Sequence, residues 1–364
     1  LLVCSAYAAD PGADVTSSTA AVRPRVGLVL AGGGAKGGAH VGVLKVLEEM
    51  RIPIDCIAGT SMGALVGGGY ASGIPAAELE KFVTGIDWKA VVGGVGVRDL
   101  QTIEQKRAGA TYSNDIEFGL QNKRVVLPAG IVNTSNIEDL LRSYVAAART
   151  QADFNKLPIP YRAIATDMVS GKMVVLKDGD LATAMRASMA IPGAFAPVMT
   201  EQYILSDGGL VRNIPVDVAR DLCADVVIVV NLVEEEVKRE KLQTATQLLS
   251  RTSDVMIVAN ENLQLESLTA RDIRIDVIMG DITTADFERV PETVRCATGS
   301  VRSVARRRDR RAEHRNAAGR RAVQGHGAGQ SRIPERSCTG EARRYGRHRR
   351  DQRRGAAHVR AAGI

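Results

Sequence analysis

Between Arg25 and Gly73 the chain twice runs an apolar strand straight into a glycine-bearing turn and then into a helix, and this doubled unit constrains the fold more than any other feature. "RVGLVLAG" reads as a buried strand, and "GAHVGVLKVLEEM" after it places Val41, Leu44, Leu47 and Met50 on one helical face. "IDCIAG" is a second strand, followed by the small-residue helix "SMGALVGGGYASG". Further on, "YRAIATD", "KMVVLKD", "YILSDGG" and "DVVIVVNL" read as strands, with "LATAMRASMA" and "VDVARDL" as helices between several of them. Alternating strands and helices predict an α/β fold of three layers, with a mostly parallel central sheet covered on both faces. Residues 87–135 are polar and weakly periodic, an insertion over a sheet edge or over the active site, or equally a solvated excursion.

Charge divides the chain. Residues 301–364 hold 19 of the 48 basic residues, all arginine, against 5 of the 41 acidic ones, so the body is net acidic although the whole chain is formally +7. The body therefore gives no reason to expect a nucleic-acid partner. From residue 296 the text lacks lysine, leucine, phenylalanine and any hydrophobic period, and is read as a disordered, out-of-frame tail; a genuine arginine-rich arm for nucleic acid or anionic lipid is the alternative. Residues 1–22 carry a short apolar run ending in Ala6-Tyr7-Ala8, the end of a truncated secretory signal followed by a linker, which predicts an exported protein, with a cytoplasmic one as the alternative. The segment from 23 to 295 remains as the folded domain. Five cysteines without a Cys-x-x-Cys pair predict neither a disulfide framework nor a zinc site.

The first turn, "LAGGGAKGG", fits G-x-G-x-x-G at Gly32, Gly34 and Gly37, which taken alone is a dinucleotide-binding fingerprint. A ribose-binding carboxylate is then expected at the end of the second strand, but Asp55 stands at its start. That strand ends instead in "GTSMG", a G-x-S-x-G on a strand-to-helix turn, with Gly59 and Gly63 leaving room for a strained Ser61. The two turns suit one reaction: Ser61 supplies a nucleophile, and the bare amides of Gly32, Gly33, Gly34 and Ala35 supply an oxyanion hole. A serine needs a base, and the body holds a single histidine, His40, placed on the helix after the first loop as a packed or capping residue. The candidate base is Asp207, in "LSDGGLVRNIPV", where Gly208 and Gly209 form a turn that lets a carboxylate reach inward. Asp167 in "ATDMVSG" reads as a strand-end turn residue, or as a group supporting the site.

"GLVLAGGGAKGGAHVGVLKVL", "IAGTSMGALVGGGYASG" and "ILSDGGLVRNIPVDVA" resemble, in order and spacing, three blocks of the patatin-like phospholipase family. The resemblance implies a fold related to the catalytic domain of cytosolic phospholipase A2 and a Ser–Asp dyad carried by Ser61 and Asp207. It also implies an oxyanion loop around Gly32 to Gly34, in which Lys36 stands where many relatives carry arginine and Gly37 follows. "RASMAIPGAFAPV" is similar to a family block that shapes the pocket, and "FERVPETV" to the exported bacterial branch. The expected activity is hydrolysis of a phospholipid or other lipid ester at a membrane surface, without metal or organic cofactor. The competing expectations are a nucleotide-binding domain and an inactive remnant.

Overall fold

The structure is a computed structural model that describes residues 23–88, 119–121, 124–126, 130–132, 134–233 and 242–302. The signal-like start, most of the 87–135 segment and the arginine-rich tail beyond residue 302 lie outside the described residues. In chain order, β1 (Val26–Leu30) leads through a 3₁₀ turn (Gly34–Gly38) into α1 (Ala39–Glu49), and β2 (Cys56–Thr60) into α2 (Met62–Ala71) and α3 (Ala76–Gly85). Next come β3 (Gly119–Gln121), β4 (Arg124–Val126), β5 (Gly130–Val132), α4 (Thr134–Tyr144), β6 (Tyr161–Asp167), β7 (Met173–Leu176) and α5 (Leu181–Ser188). Then follow β8 (Gly193–Phe195), β9 (Val198–Met199), β10 (Ile204–Asp207), α6 (Gly209–Arg212) and α7 (Val216–Leu222). β11 (Val226–Leu232), α8 (Ala245–Glu266), β12 (Ile273–Val277) and a helix over 290–302, α9, complete the order.

The main sheet has eight strands, in the order β12-β11-β1-β2-β6-β10-β9 with β7 also on β6. β12, β11, β1, β2 and β6 run parallel, as expected for strands joined by helical crossovers. β7 and β10 each pair antiparallel with β6, and β9 pairs antiparallel with β10. β7 has no choice, since only the turn around Met168–Lys172 separates it from β6.

Both faces are covered. Neighbouring residues of a strand point to opposite faces. Ile57 meets α2 near Gly67, whereas Cys56 lies against Ala219 of α7, so the two helices sit on opposite sides of β2. β2 and all but the first residues of β1 and β11 are buried and largely apolar, as strands covered on both faces should be. Of the face expected on α1, Val41, Leu44 and Leu47 are buried, while Met50 caps the helix and stays half exposed. Ala297 and Val301 of α9 are buried in the same core, so the folded body runs past the compositional break at residue 296.

One expectation fails. Cys56, at the head of β2, and Cys223, the C-cap of α7, form a disulfide between Cα atoms 6.2 Å apart across a sequence separation of 167. A bridge from a strand to a helix laid on it takes its spacing from topology, so no local cysteine motif announces it.

Candidate active site

β6 brings the two chemical groups together. Its one edge pairs with β7 over Ala163–Thr166, so β2 and β10 must share the other. β2 runs up that edge until Thr60 faces Ile164; β10 runs down it until Asp207 faces Ala165. The two strands thus meet head to head, and the residues at the junction are Ser61 and Asp207.

Ser61 adopts φ 53°, ψ −123°, one of two positive-φ non-glycine residues among those described. Such a conformation costs about 1–3 kcal/mol and persists only where its surroundings impose it. A Cβ at Gly63 would lie 2.3 Å from Leu30 O, and one at Gly59 2.5 Å from Gly63 O, so the turn closes only with glycines on both sides of the serine. The carbonyl of Ser61 accepts from Ala64 N and Leu65 N, which ties it to the first turn of α2.

Ser61 Oγ donates to Asp207 Oδ2 at 2.7 Å, and Gly209 N donates to Asp207 Oδ1 at 2.7 Å. Both side chains are buried. Burial pushes the Asp207 carboxyl up to about 6, against the opposing effect of these two hydrogen bonds. A carboxylate near 3.9 is a poor proton acceptor, and one near 6 is better matched to neutral pH.

The glycine loop lies at the C-terminal end of β1, beside the end of β2. Its amides divide into two sets. Gly32 N donates to Asn213 O at 3.3 Å and Ala35 N to Thr284 O at 2.9 Å, which engages two of the four amides expected to line an oxyanion hole. Ala35 is therefore corrected from oxyanion donor to anchor of the loop, and Gly32 is tethered in a similar way; Gly33 and Gly34 remain. Gly34 has φ 52°, and a Cβ there would lie 2.3 Å from Thr284 O, so a side chain is excluded on both counts. Lys36 is buried, its amide bonded to Gly33 O.

His40 is fully buried on α1, with Nε2 2.7 Å from Ala31 O at the root of this loop. Burial lowers it to about 4, so it is neutral at pH 7 and donates from Nε2 to that carbonyl. It packs and orients, as the sequence suggested. Asp167 accepts from Val169 N, Ser170 N, Ser170 Oγ and Ile204 N, which makes it a turn residue. Asp55 accepts from Val26 N and Arg23 at the opposite end of the sheet from the glycine loop, so it cannot hold a ribose there.

Ser61 and Gly34 open onto a pocket walled by Met62, Leu65, Trp88, Ile137, Leu140, Leu141, Met189, Ile191, Phe195 and Phe287. Its lining is almost wholly apolar. Met189, Ile191 and Phe195 lie in the block expected to shape the pocket, whereas Trp88, Ile137, Leu140 and Leu141 lie outside every block singled out, and the apolar spacing on α4 is indistinguishable from ordinary core. The sequence also gave no sign of a buried polar brace behind the loop: Asn213 Nδ2 donates to Glu261 Oε1 at 2.5 Å, and Asn260 of α8 donates to Gly209 O at 2.9 Å. Asn213 stands in the Asp207 block, but nothing in the spacing of α8 points to it.

A buried serine–carboxylate pair beside a glycine loop, on a mixed, mostly parallel sheet with an apolar pocket, defines an α/β protein with a site suited to acyl chemistry. The family model described as Patatin-like phospholipase matches residues 28–220, more than half of the chain, and the chain belongs to that family. It is 35% identical over 209 residues to an uncharacterized NTE family protein of Mycobacterium tuberculosis strain H37Rv, covering 57% of this chain and 49% of that one. To patatin-like phospholipase domain-containing protein 6 of Homo sapiens it is 32% identical over 212 residues, covering 57% of this chain and 13% of the relative. The chain thus spans half or less of these relatives. Among solved structures it is similar to VipD from Legionella pneumophila at a TM-score of 0.41 and 16% identity, over 77% of this chain and 66% of that one.

Proposed function

We propose that this protein is a lipid acyl hydrolase that uses Ser61 as nucleophile and Asp207 as proton acceptor. The observation that carries the reading is the 2.7 Å hydrogen bond from Ser61 Oγ, which lines an apolar pocket, to the buried Asp207 carboxylate, whose pKa is raised. Ser61 Oγ attacks the acyl carbonyl as its proton passes to Asp207 Oδ2, and the amides of Gly33 and Gly34 hold the oxyanion. The leaving alcohol takes the proton back and the acyl-enzyme remains. Water then attacks, gives a proton to Asp207, and the collapse that frees the carboxylic acid returns it to Ser61. The apolar walls favour an acyl chain over a polar substituent.

We propose further that the site works at a membrane surface, where such substrates reside, and that the protein is exported, as the signal-like run ending in Ala6-Tyr7-Ala8 suggests. The Cys56–Cys223 disulfide supports the latter, since such bridges persist where the surroundings are oxidising.

The test is labelling of the full chain with a fluorophosphonate, alongside Ser61→Ala and Asp207→Ala. Labelling that disappears in the serine variant and falls steeply in the aspartate variant is the expected result. A folded wild-type chain that takes no label and releases no fatty acid from lipid esters overturns the proposal.

A further inference from the structure

The C-terminal end of α5 and the residues after it touch both halves of the pair. Ser188, the last residue of α5, is fully buried, and its hydroxyl accepts from Ser61 N at 2.9 Å while donating to Ile164 O at 2.5 Å. Ile164 is the register partner of Thr60, the last paired residue of β2. The hydroxyl therefore adds one more rung between β2 and β6, made by a side chain, at the point where the backbone ladder stops. On the other side, Gly208 N donates to Ser188 O at 3.2 Å, and Asp207 N to Ala190 O at 2.9 Å. Ser206 Oγ donates to the same Ala190 carbonyl at 2.6 Å.

We propose that Ser188 is a positioning residue for the nucleophile, whose hydroxyl locks the backbone of Ser61 in the positive-φ conformation from which Oγ meets Asp207. The carbonyl of Ser61 is already fixed by the first turn of α2; its amide has Ser188 as partner, and the direction of that amide sets φ. Without the hydroxyl, Ser61 N and Ile164 O are left facing each other's empty partner, and the nucleophile relaxes toward ordinary extended backbone. Oγ then swings off the carboxylate. Since 190 and 188 also hold the backbone of Asp207 and Gly208, one short segment sets both ends of the 2.7 Å hydrogen bond.

This inference rests on the hydrolase reading, and the experiment separates the two. Steady-state kinetics on a soluble short-chain ester and the rate of fluorophosphonate labelling are measured across pH for the full wild-type chain, Ser188→Ala and Thr293→Val. Thr293 is the control: its buried hydroxyl donates to Val290 O and touches neither Ser61 nor Asp207. Ser188→Ala is expected to lose kcat on the order of 10²-fold at little change in KM, as for a misplaced reacting group. Its acid limb moves to higher pH, because Asp207 loses the Ser61 bond that holds it down. Ser188→Thr, which restores the hydroxyl, recovers at least about tenfold of that loss, and Thr293→Val stays within about threefold of wild type with an unmoved limb. Should Ser188→Ala not fold, Ser188→Cys, similar in volume and a weaker donor, is read the same way. A folded Ser188 variant with wild-type kcat and acid limb overturns the positioning role alone. A wild-type chain inert to ester and probe overturns the hydrolase reading beneath it.

Discussion

Ser61 Oγ and Asp207 Oδ2 lie 2.7 Å apart although 146 residues separate them in the chain, and both are buried. With Asp207 raised to about 6, its carboxyl is ionised at neutral pH and protonated in mild acid. The kcat/KM of ester hydrolysis should therefore show an acid limb with a midpoint near pH 6, falling about tenfold per pH unit below it. A pH–rate profile checks this; a limb near pH 4 would show that Asp207 is not desolvated.

Stability and activity should part company at Asp207. Its folded pKa, about 6, lies above the ordinary carboxylate value, so its contribution is favourable at low pH and is lost as pH rises through 6. Asp207→Asn, which carries no charge into the site, is expected to abolish hydrolysis yet raise stability at pH 8 by roughly 3 kcal/mol, an advantage that disappears near pH 4. Urea denaturation at the two pH values measures both.

His40 has the opposite sign. Its folded value, about 4, lies below the ordinary 6.5, so the stability it provides is complete above pH 6.5 and drains away as pH falls toward 4. His40→Gln retains an N–H for Ala31 O but takes up no proton in this range. Between pH 7 and pH 4 the wild type should lose roughly 3 kcal/mol more than the glutamine variant. Equal losses in paired denaturation curves would place His40 in water.

The disulfide gives a fourth expectation. Purified under non-reducing conditions, the protein should hold Cys56 and Cys223 closed to alkylation until unfolded and reduced. A loop this long is worth up to about 5 kcal/mol on the chain-entropy account, so the Cys56→Ala, Cys223→Ala double variant should melt well below wild type. Alkylation followed by mass spectrometry, and a thermal melt, decide it.

The motifs were legible because each turn needs its glycines for a local steric reason: Gly63 against Leu30 O and Gly34 against Thr284 O admit no Cβ. Strand and helix alternation likewise exposed β1, β2, β6 and β11, whose apolar runs are long enough to stand out. What escaped was set by distant contacts. Ala35 reads as an oxyanion donor in the sequence because nothing near it shows that Thr284, far along the chain, takes its amide. β12 reads "IRIDV", an apolar–polar alternation of a half-exposed strand too short to stand out beside the fully buried runs, and α8 is too evenly mixed to reveal a face. Ser188 is an ordinary serine at a helix end until β6 brings Ser61 to it.

The head-to-head meeting of β2 and β10 on β6 has a consequence for how such a chain can change. Ser61, next after Thr60, and Asp207 are spaced by consecutive residues of a third strand, Ile164 and Ala165, and not by the segments that connect them. β6 works as a ruler with a one-residue graduation. Loops between β2 and β6, or between β6 and β10, can be lengthened, exchanged or reshaped while Ser61 and Asp207 keep their separation, whereas a one-residue slip in β6 would part the two at once.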